Sequence, residues 1–263
     1  MSPPTRPARE GDHPAVAELF LALETNEPAP SEARFVGEMM ATTRVAEHDG
    51  RVSAYLFYQL IGETLYVRHV ATAKERRREG AARALFRDTK ELGRAAGARE
   101  ICLNVKPDNT SAIRLYESEG LARAYASAAF RLHFSTFPVS SARGTVTRPL
   151  APELDAALEA RFGLPGGQLA MARGLPNRVV LGATRDGAPV GVACFDRGFP
   201  GCFPFRADTA ETAAALVEAC RAVTASDEMG LVVEDAPQIE AWLESEGLTP
   251  HLRIEHYRGP LAP

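Results

Sequence analysis

The amino-acid sequence predicts a mixed α/β fold built twice, as two tandem units with the same order of strands and helices. Three observations predict it. The length of 263 residues is long for one compact domain and suits two of about 130. The string Glu117-Ser118-Glu119-Gly120-Leu121 recurs letter for letter as Glu244-Ser245-Glu246-Gly247-Leu248, 127 positions later. Each half also carries an Asp-Gly pair between two strand-like runs, at Asp49-Gly50 and Asp186-Gly187, which is the chemistry of a tight hairpin turn. One short match is chance-prone, but a shared order of hairpin, helix, strand, helix and glycine points to duplication.

In the first unit, Ala15 to Leu23 places Ala15, Leu19, Phe20 and Leu23 on one helical face. A second helix, Ser31 to Met40, follows the Pro28-Ala29-Pro30 break. Strands are expected at Arg44 to His48, Val52 to Ile61 and Leu65 to Thr72. A long helix from about Gly80 to Ala96 buries Ala82, Leu85, Phe86, Thr89 and Leu92, with Gly97 suited to its left-handed C-terminal cap. A strand at Glu100 to Val105, a helix at Thr110 to Ser118 and a closing strand region at Ala122 to Phe134 complete the unit. Residues 136–147, rich in Ser, Pro and Gly, read as a linker between domains at 1–135 and 148–263.

The second unit is a reduced copy. Strands at Arg178 to Thr184, Val190 to Phe195 and Gly201 to Phe205 precede a helix from Thr209 to Val223. A strand at Met229 to Val233, a helix at Pro237 to Glu246 and a strand near Leu252 to Tyr257 follow. Before its long helix, Asp208 with Glu211 three residues on reads as a self-capping start that offers an anion a carboxylate.

The corresponding loop of the first unit is its opposite. Lys74-Glu75-Arg76-Arg77-Arg78-Glu79-Gly80-Ala81-Ala82-Arg83 joins a strand to a helix through arginines and a glycine. A helix's first turn leaves backbone N–H groups unpaired and carries partial positive charge, so an anion is held there when the main chain comes close. Small residues at 80–82 keep side chains out of the way, and arginines add charge-assisted hydrogen bonds to phosphate. Arg83, Arg87, Lys90 and Arg94 share one helical face, either a solvated face salted by Asp88 and Glu91 or, near its start, part of the anion site.

Charge and composition exclude other classes. Residues 1–135 carry 19 Lys and Arg against 18 Asp and Glu, and residues 136–263 carry 11 against 16, so neither half is the basic surface that nucleic acid needs. No run approaches the roughly 18 apolar residues of a membrane span, and the N-terminus lacks the apolar core of a signal peptide, so a cytoplasmic protein is expected. Cys102, Cys194, Cys202 and Cys220 lack Cys-x-x-Cys or zinc-type spacing and read as buried thiols; no metal is expected. Trp242 reads as core.

Arg77-x-x-Gly80-x-Ala82 after a strand ending Val70-Ala71-Thr72 resembles the R/Q-x-x-G-x-G/A motif of the GNAT superfamily, the Gcn5-related N-acetyltransferases. The stretch from Leu103 to Leu121, with Asn109 at a helix start and Tyr116 shortly before Gly120-Leu121, is similar to the family's second signature. Together they are specific, and they cover about residues 5 to 135. The resemblance implies two GNAT-like domains, each a mostly antiparallel central sheet flanked by helices, with acetyl-CoA as co-substrate. It implies that the pantetheine arm enters between splayed strands at Leu65–Thr72 and Ile101–Val105. Val70, Ala71 and Thr72 would meet that arm; Arg77, Arg78, Glu79, Gly80, Ala81, Ala82 and Arg83 would hold the pyrophosphate; Asn109 would touch the cofactor or serve only as a helix cap.

The implied chemistry is acetyl transfer to a primary amine of a small molecule or peptide by direct attack. An amine of pKa about 10.4 must lose its proton, and the departing thiolate must be protonated. Tyr116 matches the family's general acid, with a helix tyrosine packed on the sheet as the plain alternative. For the base, His69, Glu63 and a water chain stay open. In the second unit the offset places Leu243 at the Tyr116 position and Ala236 at the Asn109 position, so that half is expected to be non-catalytic. The rival readings are a non-catalytic acyl-CoA-binding module and an acyltransferase for longer chains. Monomer and homodimer are both compatible with the sequence.

Overall fold

The computed structural model describes residues 3–24, 28–137, 144–199 and 201–261. The chain divides into two compact units whose boundaries cross the sequence order. Unit 1 comprises Met1–Val105, Asn109–Arg123 and Tyr257–Pro263, and unit 2 comprises Lys106–Asp108 and Ala124–His256.

Unit 1 begins with β1 (Thr5–Pro7), which the sequence reading missed, and α1 (His13–Leu21). Arg6 anchors β1 through a two-pronged bond to Asp12 at 2.7 and 2.9 Å and a contact with Glu47 at 2.6 Å. The helix expected over 31–40 is broken instead: α2 (Glu32–Arg34) is capped by Ser31, widens into a π turn over Phe35–Met39 and tightens to a 3-10 turn at Met40–Thr42. Then come β2 (Thr43–His48), β3 (Arg51–Ile61) and β4 (Thr64–Thr72), with both residues of the Asp49-Gly50 turn at positive φ. After α3 (Ala81–Ala95), β5 (Glu100–Val105) and α4 (Thr110–Ser118), the unit is finished by Tyr257–Pro260 at the far end of the chain.

The unit 1 sheet runs β1-β2-β3-β4-β5, antiparallel except for the parallel pair β4 and β5. Leu56, Leu65, Val67, Leu85, Phe86, Ile101 and Leu103 form the core between the sheet and α3 with α4. Val16, Leu19, Phe20, Phe35, Tyr55 and Phe57 form a second core under α1 on the other face. The terminal segment closes against this unit: the Leu261 N–H donates to the Arg99 carbonyl at 2.7 Å, and Gly259 lies so near Gly120 that an added Cβ would come within 2.5 Å of its carbonyl oxygen.

Unit 2 takes the strand after α4, β6 (Ala122–His133), which pairs antiparallel with β11 below over 127–133. The linker expected at 136–147 lies partly outside the described residues, and its end is strand: β7 (Thr145–Pro149) pairs with β8 (Arg178–Arg185). Two helices absent from the sequence reading, α5 (Asp155–Phe162) and α6 (Gln168–Gly174), cover one face. β9 (Ala188–Asp196), β10 (Gly201–Ala207), α7 (Ala210–Arg221), β11 (Glu228–Glu234), α8 (Pro237–Ser245) and β12 (Leu252–Pro260) follow the expected order. Trp242 packs edge-on to Phe137 at 5.6 Å.

The domain boundaries read from sequence therefore differ from the observed units: residues 124–135 belong with unit 2 and residues 257–261 with unit 1. The repeat itself persists in detail. Asn109 and Ala236 are the residues preceding α4 and α8, and Gly120 and Gly247 end them at φ +89° and +86°.

Candidate active site

The site is built by a strand that leaves its neighbour. β4 pairs with β5 from Thr64↔Glu100 to Val67↔Leu103, and the register stops there although β4 continues to Thr72 and β5 to Val105. A bulge at Arg68 lies at the point of departure, since Phe57 faces His69 while Tyr58 faces Val67. Such a bulge bends its strand and re-aims the residues that follow. Val70 then packs on the α3 side and Ala71 on the α1 side.

Beyond Thr72 a 3-10 turn, Lys74–Arg76, leads to the glycine loop. Arg78 and Gly80 both have positive φ, and Gly80, at +87°, is the N-cap of α3 with no side-chain cap. A Cβ at Gly80 would meet nothing within 4 Å, so glycine is required by the left-handed backbone and the space above it is open. The helix's own bonds begin with the Ala84 N–H donating to the Gly80 carbonyl at 2.9 Å, which leaves the amides of Ala81, Ala82 and Arg83 as the outward donors of the first turn. Arg77 Nε donates to the Thr72 carbonyl at 3.4 Å. Arg76 is committed to Asp49 and Glu79 at 3.8 and 3.7 Å. A cavity of about 430 Å³ opens beside this loop, lined by Arg76, Glu79 and Ala81 and by His48 and Asp49 of the hairpin.

Tyr116 is buried in the α3-side core with its ring 5.5 Å from Phe86. Burial pushes its phenol above the ordinary range, so it holds its proton through neutral pH. His69 sits on the opposite face, among Phe20, Phe57 and Tyr55 at 5.1, 5.3 and 6.2 Å. Its Nδ1 is buried without a hydrogen-bond partner, and burial, with the charges of Arg68 and Arg34, pushes its pKa down to about 3. It is neutral at pH 7 and a weak proton acceptor. The structure thus does not bring His69 and Tyr116 into contact. Glu63 falls away as a base: it lies in the turn before β4, paired with Arg99 at 3.2 Å, roughly 20 Å along the strand from Val70. Asn109 acts as a helix cap, its Oδ1 accepting from the Ala112 N–H at 3.2 Å.

The basic face of α3 has partners the sequence did not suggest. Asp88 binds Arg44 at 2.7 Å, whereas Arg83, Arg87 and Lys90 converge on Glu119. Glu119 stands 29 to 36 residues away from these partners, beyond any periodic signal.

The equivalent place in unit 2 is closed. β10 stays paired with β11 as far as Phe205↔Val233, across a register shift between Cys202 and Phe205, and Arg206 and Glu234 then form a buried ion pair at 2.5 Å, with Tyr125 donating to Glu234 at 3.2 Å. Counted from the hairpin turns, Arg206 takes the place of Ala71: Tyr55 faces Ala71 as Val192 faces Arg206. The N-cap of α7 is Thr209, accepting from the Thr212 N–H at 3.2 Å, and not Asp208 as the sequence suggested. Asp208 instead accepts from the Thr212 hydroxyl at 2.7 Å and pairs with Arg185 at 3.2 Å.

Residues 13–121 match the profile of the acetyltransferase (GNAT) family. This segment is a GNAT domain. A GCN5-related N-acetyltransferase from Sphaerobacter thermophilus is similar in fold across 99% of this chain and 96% of its own, at 19% identity and a TM-score of 0.72. A putative acetyltransferase from Pyrococcus horikoshii is similar over 98% and 89%, at 15% identity and 0.73. A tandem GNAT protein from the clavulanic acid biosynthesis pathway is similar over 99% of both chains, at 19% identity and 0.60. The chain as a whole has the tandem GNAT fold. No curated protein matches it in sequence. Among the described residues, no helix is long and apolar enough to cross a membrane and no group of His, Cys, Asp and Glu side chains is arranged to hold a metal. The four cysteines are buried and none is in a disulfide, and burial pushes the Cys194 thiol up to about 12.

Proposed function

We propose that the chain is an acetyl-CoA-dependent N-acetyltransferase whose GNAT domain acetylates a primary amine of a small molecule or peptide by direct attack. One observation carries this reading: β4 leaves β5 at Val67 and leads straight into an uncapped helix start at a left-handed glycine. A parted strand pair offers main-chain groups to an extended amide-bearing arm, and the amides of residues 81–83 suit a diphosphate. The co-substrate supplies an activated acetyl thioester. On this reading Val70, Ala71 and Thr72 line the arm, and Arg77, Arg78, Glu79, Gly80, Ala81, Ala82 and Arg83 surround the pyrophosphate. Tyr116, protonated at neutral pH, gives its proton to the leaving thiolate.

His69 is neutral and available to accept from the attacking amine, but its depressed pKa makes it a poor sink. The same observation favours the second reading, an acyl-CoA-binding module without turnover. Unit 2 is non-catalytic on either account: a carboxylate stands at the start of α7, an ion pair bridges β10 and β11, and Leu243 is buried where Tyr116 stands in unit 1. A cytoplasmic location belongs to this proposal. The test is a thiol-release screen of acetyl-CoA against amino acids, polyamines, aminoglycosides and peptides. Amine-dependent thiol release that disappears in Gly80→Glu supports the enzyme; binding of acetyl-CoA with no release on any class supports the module.

A further inference from the structure

Three cations on α3 are held from behind by one carboxylate. Arg83 Nη1 and Arg87 Nε both donate to Glu119 Oε1, at 3.2 and 3.0 Å, while Lys90 Nζ donates to the Glu119 carbonyl at 2.9 Å and lies 3.7 Å from its Oε2. The Glu119 side chain is only 7% exposed, whereas those of Arg83 and Arg87 are 43% and 61% exposed. The carboxylate is thus an inner anchor and the guanidiniums are its outer face. A guanidinium has five donors, and each arginine spends one on Glu119, so the others point away from the anchor toward solvent. Three positive charges against one negative leave the cluster at a net +2. Arg83 stands in the first turn of α3 and Arg87 one turn on, so the pair continues outward from the amides of residues 81–83.

We infer that Glu119 is a positioning residue that presents Arg83 and Arg87 as a fixed pair to a second phosphate of the bound ligand, the 3′-phosphate on the ribose of coenzyme A. The inference rests on the cofactor reading above. A nucleotide thiol whose diphosphate lies on the first turn of α3 carries one further anionic group, a ribose away, and this pair is the cationic surface next along the helix. Two arginines gripped by one oxygen present their planar forks in a set geometry, which a phosphate dianion rewards through paired hydrogen bonds. Lys90, more buried than either arginine, braces the anchor.

Calorimetric titration of the full chain with coenzyme A and with 3′-dephospho-coenzyme A tests this. The wild type is expected to favour the phosphorylated form about 10- to 100-fold, the worth of one or two charged hydrogen bonds. In Arg87→Ala, outside the set around the pyrophosphate, the ratio falls toward one while affinity for the dephospho form is kept, and adding Arg83→Ala lowers the ratio further. Glu119→Gln separates positioning from simple charge. Removing a negative charge raises the local potential and would tighten phosphate binding if charge alone mattered; a positioning role instead lowers the ratio. Arg83→Lys and Arg87→Lys keep the charge but lose the fork, and carry the positioning claim should Glu119→Gln fail to fold. Equal affinity of the wild type for both forms overturns the proposal and leaves the cofactor reading standing. A higher ratio in Glu119→Gln, or an unchanged one in the lysine variants, overturns the positioning role. Binding of neither form overturns the cofactor reading and this inference with it.

Discussion

In unit 1, β4 parts from β5 after Val67 and runs on to Thr72; in unit 2, β10 holds to β11 through Phe205, and Arg206 with Glu234 seals the end. The two places are equivalent by strand register, and the difference comes down to a few residues. Where unit 1 has the small Ala71, unit 2 has an arginine. Where Gly80 leaves α3 uncapped, Thr209 caps α7 and Asp208 adds a carboxylate. A duplicated fold keeps its sheet and helices because burial maintains them. The opening between two strands has no such support and is easily filled by a paired charge.

The largest effect that would break this comparison is expected at Tyr116. If unit 1 alone turns over acetyl-CoA, Tyr116→Phe slows thiol release by about 10²- to 10⁴-fold, and Leu243→Phe in unit 2 leaves the rate unchanged. Steady-state kinetics on the acceptor found by the amine screen checks both; an unchanged rate in Tyr116→Phe refutes the acid. Next comes the seal of unit 2. Arg206→Ala strands a buried carboxylate and should cost about 3–5 kcal/mol in denaturant unfolding, while Arg206→Met with Glu234→Leu costs much less. A single variant no more costly than the double would mean that the pair is not buried in solution.

Smaller still is the cap. Asn109→Ala should cost about 1 kcal/mol of stability, and the acetyl-CoA affinity of that variant decides whether the residue does more than cap α4. At neutral pH the smallest effect is that of His69, which shows only as the pH falls. His69 has a folded pKa near 3 against about 6.5 unfolded, so the unfolded chain binds the extra proton first as pH falls. Stability from this residue is present above pH 6.5 and drains away toward pH 3, by at most about 1.4 kcal/mol per pH unit. Thermal melts of His69→Phe against the wild type between pH 4 and 7 should show a flatter slope in the variant; parallel slopes would place His69 in water.

Local chemistry made much of this legible. The Asp49-Gly50 and Asp186-Gly187 turns, the left-handed glycines at 80, 120 and 247, and the helix starts at Asn109 and Ala236 all follow from backbone preferences that one or two residues express. What was hidden is long-range. Nothing near Tyr257 says that its strand finishes unit 1, and nothing near Arg131 says that β6 pairs with β11. The Arg6 anchor of β1, the Arg44–Asp88 pair and the Glu119 cluster join residues 41, 44 and 36 positions apart. Spacing rules for a helix face reach only three or four residues. The parting of β4 from β5 was expected from the family resemblance; the bulge at Arg68 beside it was not.

The central claim is one cofactor site per chain, at the start of α3. Isothermal titration of the full chain with acetyl-CoA, beside Gly80→Glu, tests it most directly. The account predicts one molecule bound per chain and none in the variant, with unit 2 contributing nothing. Two molecules per chain, or undiminished binding in Gly80→Glu, would contradict it.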